Sequence, residues 1–206
     1  MLGLLVAAVI LTIATPDATL ARAIAPALQG AALVVALGGR GRHWYVRGGA
    51  VVLVVFSAAG TALVEGRVEH AALALLNTAI LASLPVVFML RLRRRLSVNF
   101  QTVLAAVSIY LVIGMVFSSF DPALSGLAGT SFFAKSGPPT TSDYTYFSFI
   151  TLTTVGYGDL VPAVGLARAS AVTEALLGQL YLVTIVALLV GNIGRSRSGA
   201  TEASEQ

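Results

Sequence analysis

Residues 153–159, Thr-Thr-Val-Gly-Tyr-Gly-Asp, can present several oxygen atoms within one short segment. Thr154 carries a hydroxyl, Asp159 carries a carboxylate, and every residue of the run has a backbone carbonyl. Glycines at 156 and 158 tolerate a positive φ, so they can turn carbonyl groups that an ordinary strand would point alternately to opposite sides. The segment can therefore line an axis with oxygen atoms. Gly-Tyr-Gly alone is a weak signal, and its surroundings decide its meaning.

The residues before this segment are too few to cross a membrane and too apolar for a solvated loop. They read DYTYFSFITLTT, residues 143–154, and predict a re-entrant helix. We expect Ser142 or Asp143 to cap its start and Gly156 to stop it. Non-helical backbone at membrane depth is tolerated only where protein buries it or a water-filled cavity borders it. Residues 154–158 are therefore expected to line a pore.

The composition of the whole chain indicates a membrane protein. Of its 206 residues 57% are hydrophobic and 11% are charged, and the mean hydropathy is +0.88. Uncharged runs recur at close to the length of about 20 residues that a membrane helix needs. They cover residues 1–16, 23–39, 48–64, 71–90, 96–120 and 175–194. The predicted fold is an all-α membrane protein with six transmembrane helices, a re-entrant pore helix and a filter.

The first apolar run could also be the core of a signal peptide, because Thr15 and Pro16 end it early. A signal peptide has basic residues before its apolar core, whereas the first basic residue here is Arg22. We favour a short first span and leave open whether it crosses the membrane completely.

The basic residues predict the orientation, since short cytoplasmic loops are rich in Lys and Arg. With six alternating spans, most of the arginines fall on one side: Arg40, Arg42, Arg47, Arg91, Arg93, Arg94, Arg95, Arg195 and Arg197. We expect that side to be the cytoplasm, both termini to lie there, and the protein to be a multi-pass protein of the plasma membrane. Arginines beside spans anchor to lipid headgroups, so membrane lipids are expected partners and nucleic acid is not.

Residues 143–194 resemble the pore module of the tetrameric potassium channels, with pore helix, filter and inner helix. Its filter signature is Thr153-Thr154-Val155-Gly156-Tyr157-Gly158-Asp159. An outer helix at 98–120 and an irregular extracellular loop at 121–142 complete the module. The domains we predict are a four-helix peripheral domain at 1–95, a pore domain at 96–194 and a short disordered tail at 195–206.

The resemblance implies a potassium-selective channel that conducts K⁺ passively as a homotetramer. In that family, backbone carbonyls replace the hydration shell of the ion. Carried onto this chain, the ion-binding residues are Thr154, Val155, Gly156, Tyr157 and Gly158, with K⁺ held at 154–157. The side chains of Val155 and Tyr157 would brace the filter from behind. K⁺ is the permeant ligand, no other cofactor is expected, and no enzymatic activity is predicted.

The support of the filter departs from the family pattern. Thr153, Asp159, Tyr146 and Phe147 are the expected supporting residues, and Tyr146-Phe147 occupies the place of two tryptophans found in many relatives. Tyr146 can donate a hydrogen bond to Asp159, whereas Phe147 cannot. Ile150 stands where some bacterial channels carry a glutamate. Asp159 either attracts cations or accepts a hydrogen bond, and it depends on Tyr146 for a donor.

The inner helix contains the residues expected to serve in gating. Gly178 matches the hinge glycine of the family, and bending or close packing are equally good explanations for it. Gln179, Leu182, Val186 and Val190 share one face and are expected to line the cavity and lower gate. Glu174 is ionisable within an apolar helix. It either makes a structural hydrogen bond, to the rear of the filter or to Arg168 of a neighbouring subunit, or it senses protons.

Span four, residues 71–90, contains no basic residue. Gating charge converts membrane potential into work, so we predict little voltage dependence. A non-conducting scaffold or regulatory subunit with a pore-like fold remains the alternative function. An ion-coupled transporter fits less well, because only one re-entrant segment is found and transporters usually contain internal repeats.

Overall fold

The computed structural model describes residues 2–14, 67–92 and 100–202. These ranges form helices α1 (Leu2–Ala14), α2 (Arg67–Leu92), α3 (Phe100–Ala128), α4 (Thr141–Leu152) and α5 (Gly165–Glu202). Two of these helices contain segments long and apolar enough to cross a membrane, Thr102–Ala128 and Gly165–Leu188, while Leu2–Ala14 and Ala71–Ser83 are shorter apolar helices. The predicted spans at 23–39 and 48–64 lie outside the described residues.

The outer helix α3 is longer than the sequence predicts. We expected an irregular loop from 121 to 142 because of its Gly, Pro and Ser content, yet the helix continues through Pro122 to Ala128. Asp121 and Ala123 are fully buried at this level, so tertiary packing outweighs the helix-breaking tendency of proline. This prediction is corrected: the connection to the next helix covers only residues 129–140.

The inner helix α5 begins at Gly165, as the sequence predicts, and is continuous to Glu202. We predicted a disordered tail at 195–206, but residues 195–202 belong to helix α5. The sequence from 195 to 202 contains no proline that would end a helix.

A core of apolar side chains joins α1 and α2 to the outer helix. Leu5 and Ala8 of α1 lie with Leu81 of α2 against Val112 and Met115 of α3. A polar contact adds to it, because the Asn77 side chain donates to the Ser119 hydroxyl at 2.9 Å. Helix α1 also contacts the pore helix α4 directly, where the Ser142 hydroxyl donates to the Ile13 carbonyl at 3.1 Å. The first helix is thereby packed onto the segment that we expected to form the pore.

A second core lies at the other end of the outer helix and consists of aromatic residues. Phe132 and Phe133 pack edge-on against Phe147, at 5.7 and 5.1 Å between ring centroids, and Tyr144 completes the set. We call these four residues the aromatic cluster. The backbone at Phe133 forms an isolated antiparallel bridge with Pro162. The connection 129–140 is thus tied to the chain that follows the predicted filter.

Candidate functional site

The pore helix α4 begins with a capping box. Thr140 is the N-cap, its hydroxyl accepts from the Asp143 N–H at 3.2 Å, and the Asp143 carboxylate accepts from the Thr140 N–H at 2.6 Å. Lys135 forms a 2.8 Å ion pair with the same carboxylate. The predicted N-cap, Ser142 or Asp143, is therefore wrong: Asp143 satisfies the helix start from the third helical position.

Burial and hydrogen bonding shift the pKa of the Asp143 carboxyl in opposite directions. Partial burial would raise the pKa of its carboxyl, but the hydrogen bonds from Lys135 and Thr140 outweigh burial and lower the pKa below its ordinary value. Its carboxylate is accordingly the stable form at the start of the helix, where negative charge is also favoured by the helix dipole.

The pore helix ends earlier than the sequence predicts, at Leu152, with Thr153 as its C-cap. The chain then turns back on itself, because the N–H groups of Val155 and Gly156 both bond to the Ile150 carbonyl, at 2.9 and 3.2 Å. Gly156 therefore does not stop the helix. Gly156 accommodates the turn that follows the helix. Ile150 stands where some bacterial channels carry a glutamate, and it contributes its backbone carbonyl to this turn.

The backbone of the filter signature alternates in handedness. Thr154, Gly156 and Gly158 have φ values of 60°, 52° and 80°, and Thr154 is the only non-glycine residue with a positive φ in the described part of the chain. Val155 and Tyr157 between them do not share this conformation. A threonine in the left-handed region costs about 1–2 kcal/mol, and such strain is concentrated at functional sites. Such an alternation is able to turn successive peptide units toward the same side.

The side chains of the filter signature are accessible in the single chain. Val155 and Tyr157 are 52% and 73% exposed. The Thr153 hydroxyl donates to the Phe149 carbonyl at 2.6 Å, so it closes the last turn of the pore helix. Asp159 is exposed, and its carboxylate interacts with the Tyr146 hydroxyl. The structure thus brings together the acid and the tyrosine that the sequence paired.

Phe147 lies elsewhere. It is 4% exposed and belongs to the aromatic cluster, which also contacts Leu160 and Val164 after the filter. We expected Phe147 to support the filter beside Tyr146. Its observed contacts are with the connection 129–140 and the segment that leaves the filter.

The C-terminal end of the pore helix is held between the outer and inner helices. The Tyr110 hydroxyl of α3 donates to the Leu152 carbonyl at 2.9 Å. On the other side, a Cβ placed on Gly178 of α5 would lie only 2.5 Å from the same carbonyl oxygen. Gly114 has a similar position on α3, where a Cβ would lie 2.9 Å from Phe149. Of the two explanations for Gly178, these distances favour close packing.

Glu174 is fully buried and contacts the pore helix. Its Oε1 atom makes a short hydrogen bond with the Ser148 hydroxyl. One turn earlier on α5, the Ser170 hydroxyl donates to Asp121 Oδ1 of the outer helix at 2.6 Å. The second oxygen of each carboxyl has no hydrogen-bond partner among the described residues. Within its own chain, Arg168 directs its guanidinium toward the carbonyls of Pro162 and Ala163, and its predicted contact with Glu174 of a neighbouring subunit stays a prediction.

The predicted cavity-lining residues lie on a face of α5 that is open in the single chain. Gln179 is exposed, and Leu182 and Val186 are 40% and 56% exposed. Val190 lies on the same helix, but its side chain is outside the described part of the structure. The described residues contain no group of three or more His, Cys, Asp and Glu side chains that could hold a metal ion.

Sequence reasoning missed Ser148, Asp121 and the pair Phe132-Phe133. Ser148 is one polar residue within an apolar segment, and nothing in the sequence around it or around Asp121 indicates the contacts that they make. The available signal for the phenylalanines was their presence in a loop otherwise rich in Gly, Pro and Ser. Two adjacent aromatic residues in such a loop indicate burial.

Comparison with known proteins supports the function of this part of the chain. Residues 105–194 match a family model described as an ion channel. No curated protein and no solved structure matches the chain. The matched range contains α4, the segment 153–159, most of α3 and α5 up to residue 194. Residues 105–194 are thus similar to an ion-channel domain, and with its two membrane-length helices the chain is a membrane protein.

Proposed function

We propose that this protein is a potassium-selective channel that conducts K⁺ passively through the segment 154–158. The observation that carries the proposal is the alternating backbone at Thr154, Gly156 and Gly158. K⁺ must exchange its hydration shell for other oxygen atoms, and carbonyls that face one axis provide them. A strand without this alternation would direct every second carbonyl away from the ion.

The assembly we propose is a homotetramer. One chain contributes one strip of carbonyl groups, so several chains must surround the axis to enclose an ion. The exposed apolar side chains of α5 in the single chain are compatible with this arrangement, because in a membrane they can pack against lipid or against neighbouring chains. On α5 they include Leu176, Leu177, Leu180, Val183 and Leu188.

The setting we propose is the plasma membrane, with several crossings, both termini in the cytoplasm and little voltage dependence. The last of these rests on α2, whose residues 71–90 contain no basic side chain. Steep voltage activation in a planar bilayer recording would contradict it.

Asp159 holds the outer edge of the filter through Tyr146, so Tyr146→Phe should shorten the open-state lifetime in single-channel records.

The experiment that tests selectivity is reconstitution of the purified protein into liposomes. We expect K⁺ flux that Ba²⁺ blocks, and reversal potentials in mixed K⁺ and Na⁺ that follow the K⁺ gradient. A reversal potential that follows Na⁺ would reject potassium selectivity. Absence of any flux from folded protein would favour the alternative, a non-conducting scaffold or regulatory subunit.

A matched pair of glycine variants tests the location of the filter. Gly156 and Gly137 both have a positive φ, and a Cβ at either would meet no atom within 4 Å. Replacement by alanine therefore strains the backbone at both sites without a clash. We expect Gly156→Ala to abolish flux, whereas Gly137→Ala, in the connection before the pore helix, should conduct like the unmodified protein.

A further inference from the structure

Ser148 makes two hydrogen bonds that a single hydroxyl proton cannot provide. Its Oγ atom lies 2.6 Å from the Gly114 carbonyl oxygen and also contacts Glu174 Oε1. A carbonyl oxygen is only an acceptor, so the serine proton is directed to Gly114. An ionised carboxylate would also be only an acceptor, which leaves the second contact without a proton. Both bonds form when Glu174 is a neutral carboxylic acid that donates to Ser148 Oγ.

The surroundings of Glu174 favour the same protonation state. The side chain is fully buried and its second oxygen has no partner in the described residues. An ionised carboxylate without compensating donors is far more costly to bury than a neutral acid. Asp121, which bonds to Ser170 one turn away on α5, adds a second buried carboxyl group. Two neighbouring carboxylates repel each other, so both cannot easily be ionised.

The other titratable and charged groups near Glu174 do not compensate a negative charge. On α3 these are Asp121 and the Tyr110 phenol. The two basic side chains that the structure describes are engaged elsewhere, since Lys135 pairs with Asp143 and Arg168 is directed toward the carbonyls of Pro162 and Ala163. The pore helix contacts Glu174 through Ser148, and this serine is not titratable.

We propose that Glu174 is a proton-binding site whose proton fastens the inner helix to the pore helix and, through Ser148, to the outer helix. Glu174 belongs to α5, Ser148 to α4 and Gly114 to α3, so one proton completes a hydrogen-bond chain across three helices. When that proton leaves to solvent, the remaining carboxylate needs a donor. Ser148 can supply it only by turning its own proton away from Gly114.

The functional consequence rests on the proposed channel function. The pore helix carries the Ile150 carbonyl to which Val155 and Gly156 are bonded, so movement of this helix is transmitted directly to the filter. Loss of the Glu174 proton is therefore expected to reduce conduction as the pH rises. We expect conduction to fall with rising pH because Ser148 bonds to both Gly114 and Glu174 only when Glu174 is protonated.

The test compares the unmodified protein with Glu174→Gln from neutral to alkaline pH, in two measurements. One is the thermal unfolding temperature of the detergent-solubilised protein, and the other is K⁺ flux in liposomes. In the unmodified protein both should fall together, with flux reduced by about tenfold, the factor to which about 1.4 kcal/mol corresponds. The glutamine amide donates to Ser148 without titrating, so both quantities should stay level in the variant.

Ser108→Ala is the matched control, because Ser108 is also a buried serine, and among the described residues its hydroxyl bonds to the Leu104 carbonyl of its own helix and to no other helix. It should keep the pH dependence of the unmodified protein. An alkaline fall that persists in Glu174→Gln would overturn the proposal, as would unfolding temperatures of the unmodified protein that do not change with pH. If the unfolding temperature behaves as expected but no flux is found at any pH, the channel function fails and the proton site stands.

Infrared spectroscopy of the unmodified protein provides a test that does not require a variant to fold. At neutral pH we expect the carbonyl band of a protonated, buried carboxylic acid, and this band should disappear at alkaline pH. Asp121→Asn should retain it, because the single proton of Ser170 already satisfies the Asp121 contact. Absence of the band at neutral pH would reject the assignment.

Discussion

The two ends of the pore helix are held in different ways. The N-terminal end is capped by residues close in sequence, since Thr140, Asp143 and Lys135 satisfy it within one short segment, and its one distant hydrogen bond among the described residues is from Ser142 to Ile13. The C-terminal end is fixed by residues distant in sequence, because Tyr110 of the outer helix and Gly178 of the inner helix both approach the Leu152 carbonyl. The cap at the start is therefore local, whereas the last turn is closed by local bonds from Thr153, Val155 and Gly156 and is also positioned by tertiary packing.

This difference determines what each end contributes. A local cap fixes where the helix begins but not how it is oriented against its neighbours. The contacts at Leu152 set the position of the last turn, from which the Ile150 carbonyl anchors the filter segment. We therefore expect substitutions at the C-terminal end to affect conduction, and those at the N-terminal end to affect stability alone.

The largest effect is expected for Gly178→Ala. The added Cβ would lie 2.5 Å from the Leu152 carbonyl oxygen, and overpacking of this kind costs about 1–3 kcal/mol. Thermal unfolding in detergent and K⁺ flux should both decrease. Gly3→Ala is the control, since a Cβ at Gly3 would meet no atom within 4 Å. Equal behaviour of the two variants would contradict close packing at Gly178.

A smaller effect is expected for Tyr110→Phe, which removes the hydroxyl that donates to Leu152. A lost hydrogen bond of this kind costs about 1 kcal/mol. Tyr181→Phe is a matched control, because the two rings stack at 6.0 Å and the Tyr181 hydroxyl donates to Ala106 instead of to the pore helix. Both variants should lose stability, but only Tyr110→Phe should change single-channel open times. If the open times changed in both variants, the hydrogen bond to the Leu152 carbonyl would not be the contact that matters for conduction.

At the N-terminal end, Thr140→Ala removes the N-cap hydroxyl and should lower stability by about 1 kcal/mol. Calorimetry or circular dichroism during heating measures it. The neighbouring Thr141 is exposed, so Thr141→Ala should be close to neutral. We expect ion selectivity to be unchanged in both variants, and a selectivity change in Thr140→Ala would show that the cap does position the filter.

The smallest effect is expected for Lys135→Ala, because a partly exposed ion pair contributes about 0–1 kcal/mol. The pKa of Asp143 is lowered in the folded protein, so its stabilising contribution is present above the unfolded pKa and is lost as the pH falls through the folded pKa. Lys135→Ala should reduce this acid-side loss of stability. Unfolding temperatures measured at decreasing pH test it, and an unchanged acid dependence would assign that dependence to another group.

The sequence predicts elements whose signals are local. The apolar run before 153–159 and the glycine at 165 locate the pore helix and the start of the inner helix, because length, composition and helix-terminating residues decide them. The pairing of Tyr146 with Asp159 had a different source, the family resemblance, in which Tyr146-Phe147 occupies the place of the two tryptophans found in many relatives.

Features that depend on distant residues were not predictable in the same way. The outer helix passes through Pro122 at a buried level where Asp121 accepts a hydrogen bond from Ser170, a partner far along the chain. Ser148 is one hydroxyl in an apolar helix until Gly114 and Glu174 are placed beside it. Phe147 belongs to the aromatic cluster because Phe132 and Phe133 fold back toward it, and no local periodicity encodes that return.

The bridge between Phe133 and Pro162 has a consequence for the entropy of the filter segment. Two backbone hydrogen bonds, from Ala134 to the Val161 carbonyl and from Ala163 to the Phe132 carbonyl, fix the chain after the segment, as Ile150 fixes it before. Both ends of a short loop are thus anchored, and the freedom of such a loop is limited by its length. Under the proposed function, little conformational entropy would remain to be lost on ion binding, and the segment would act as a preorganised ligand.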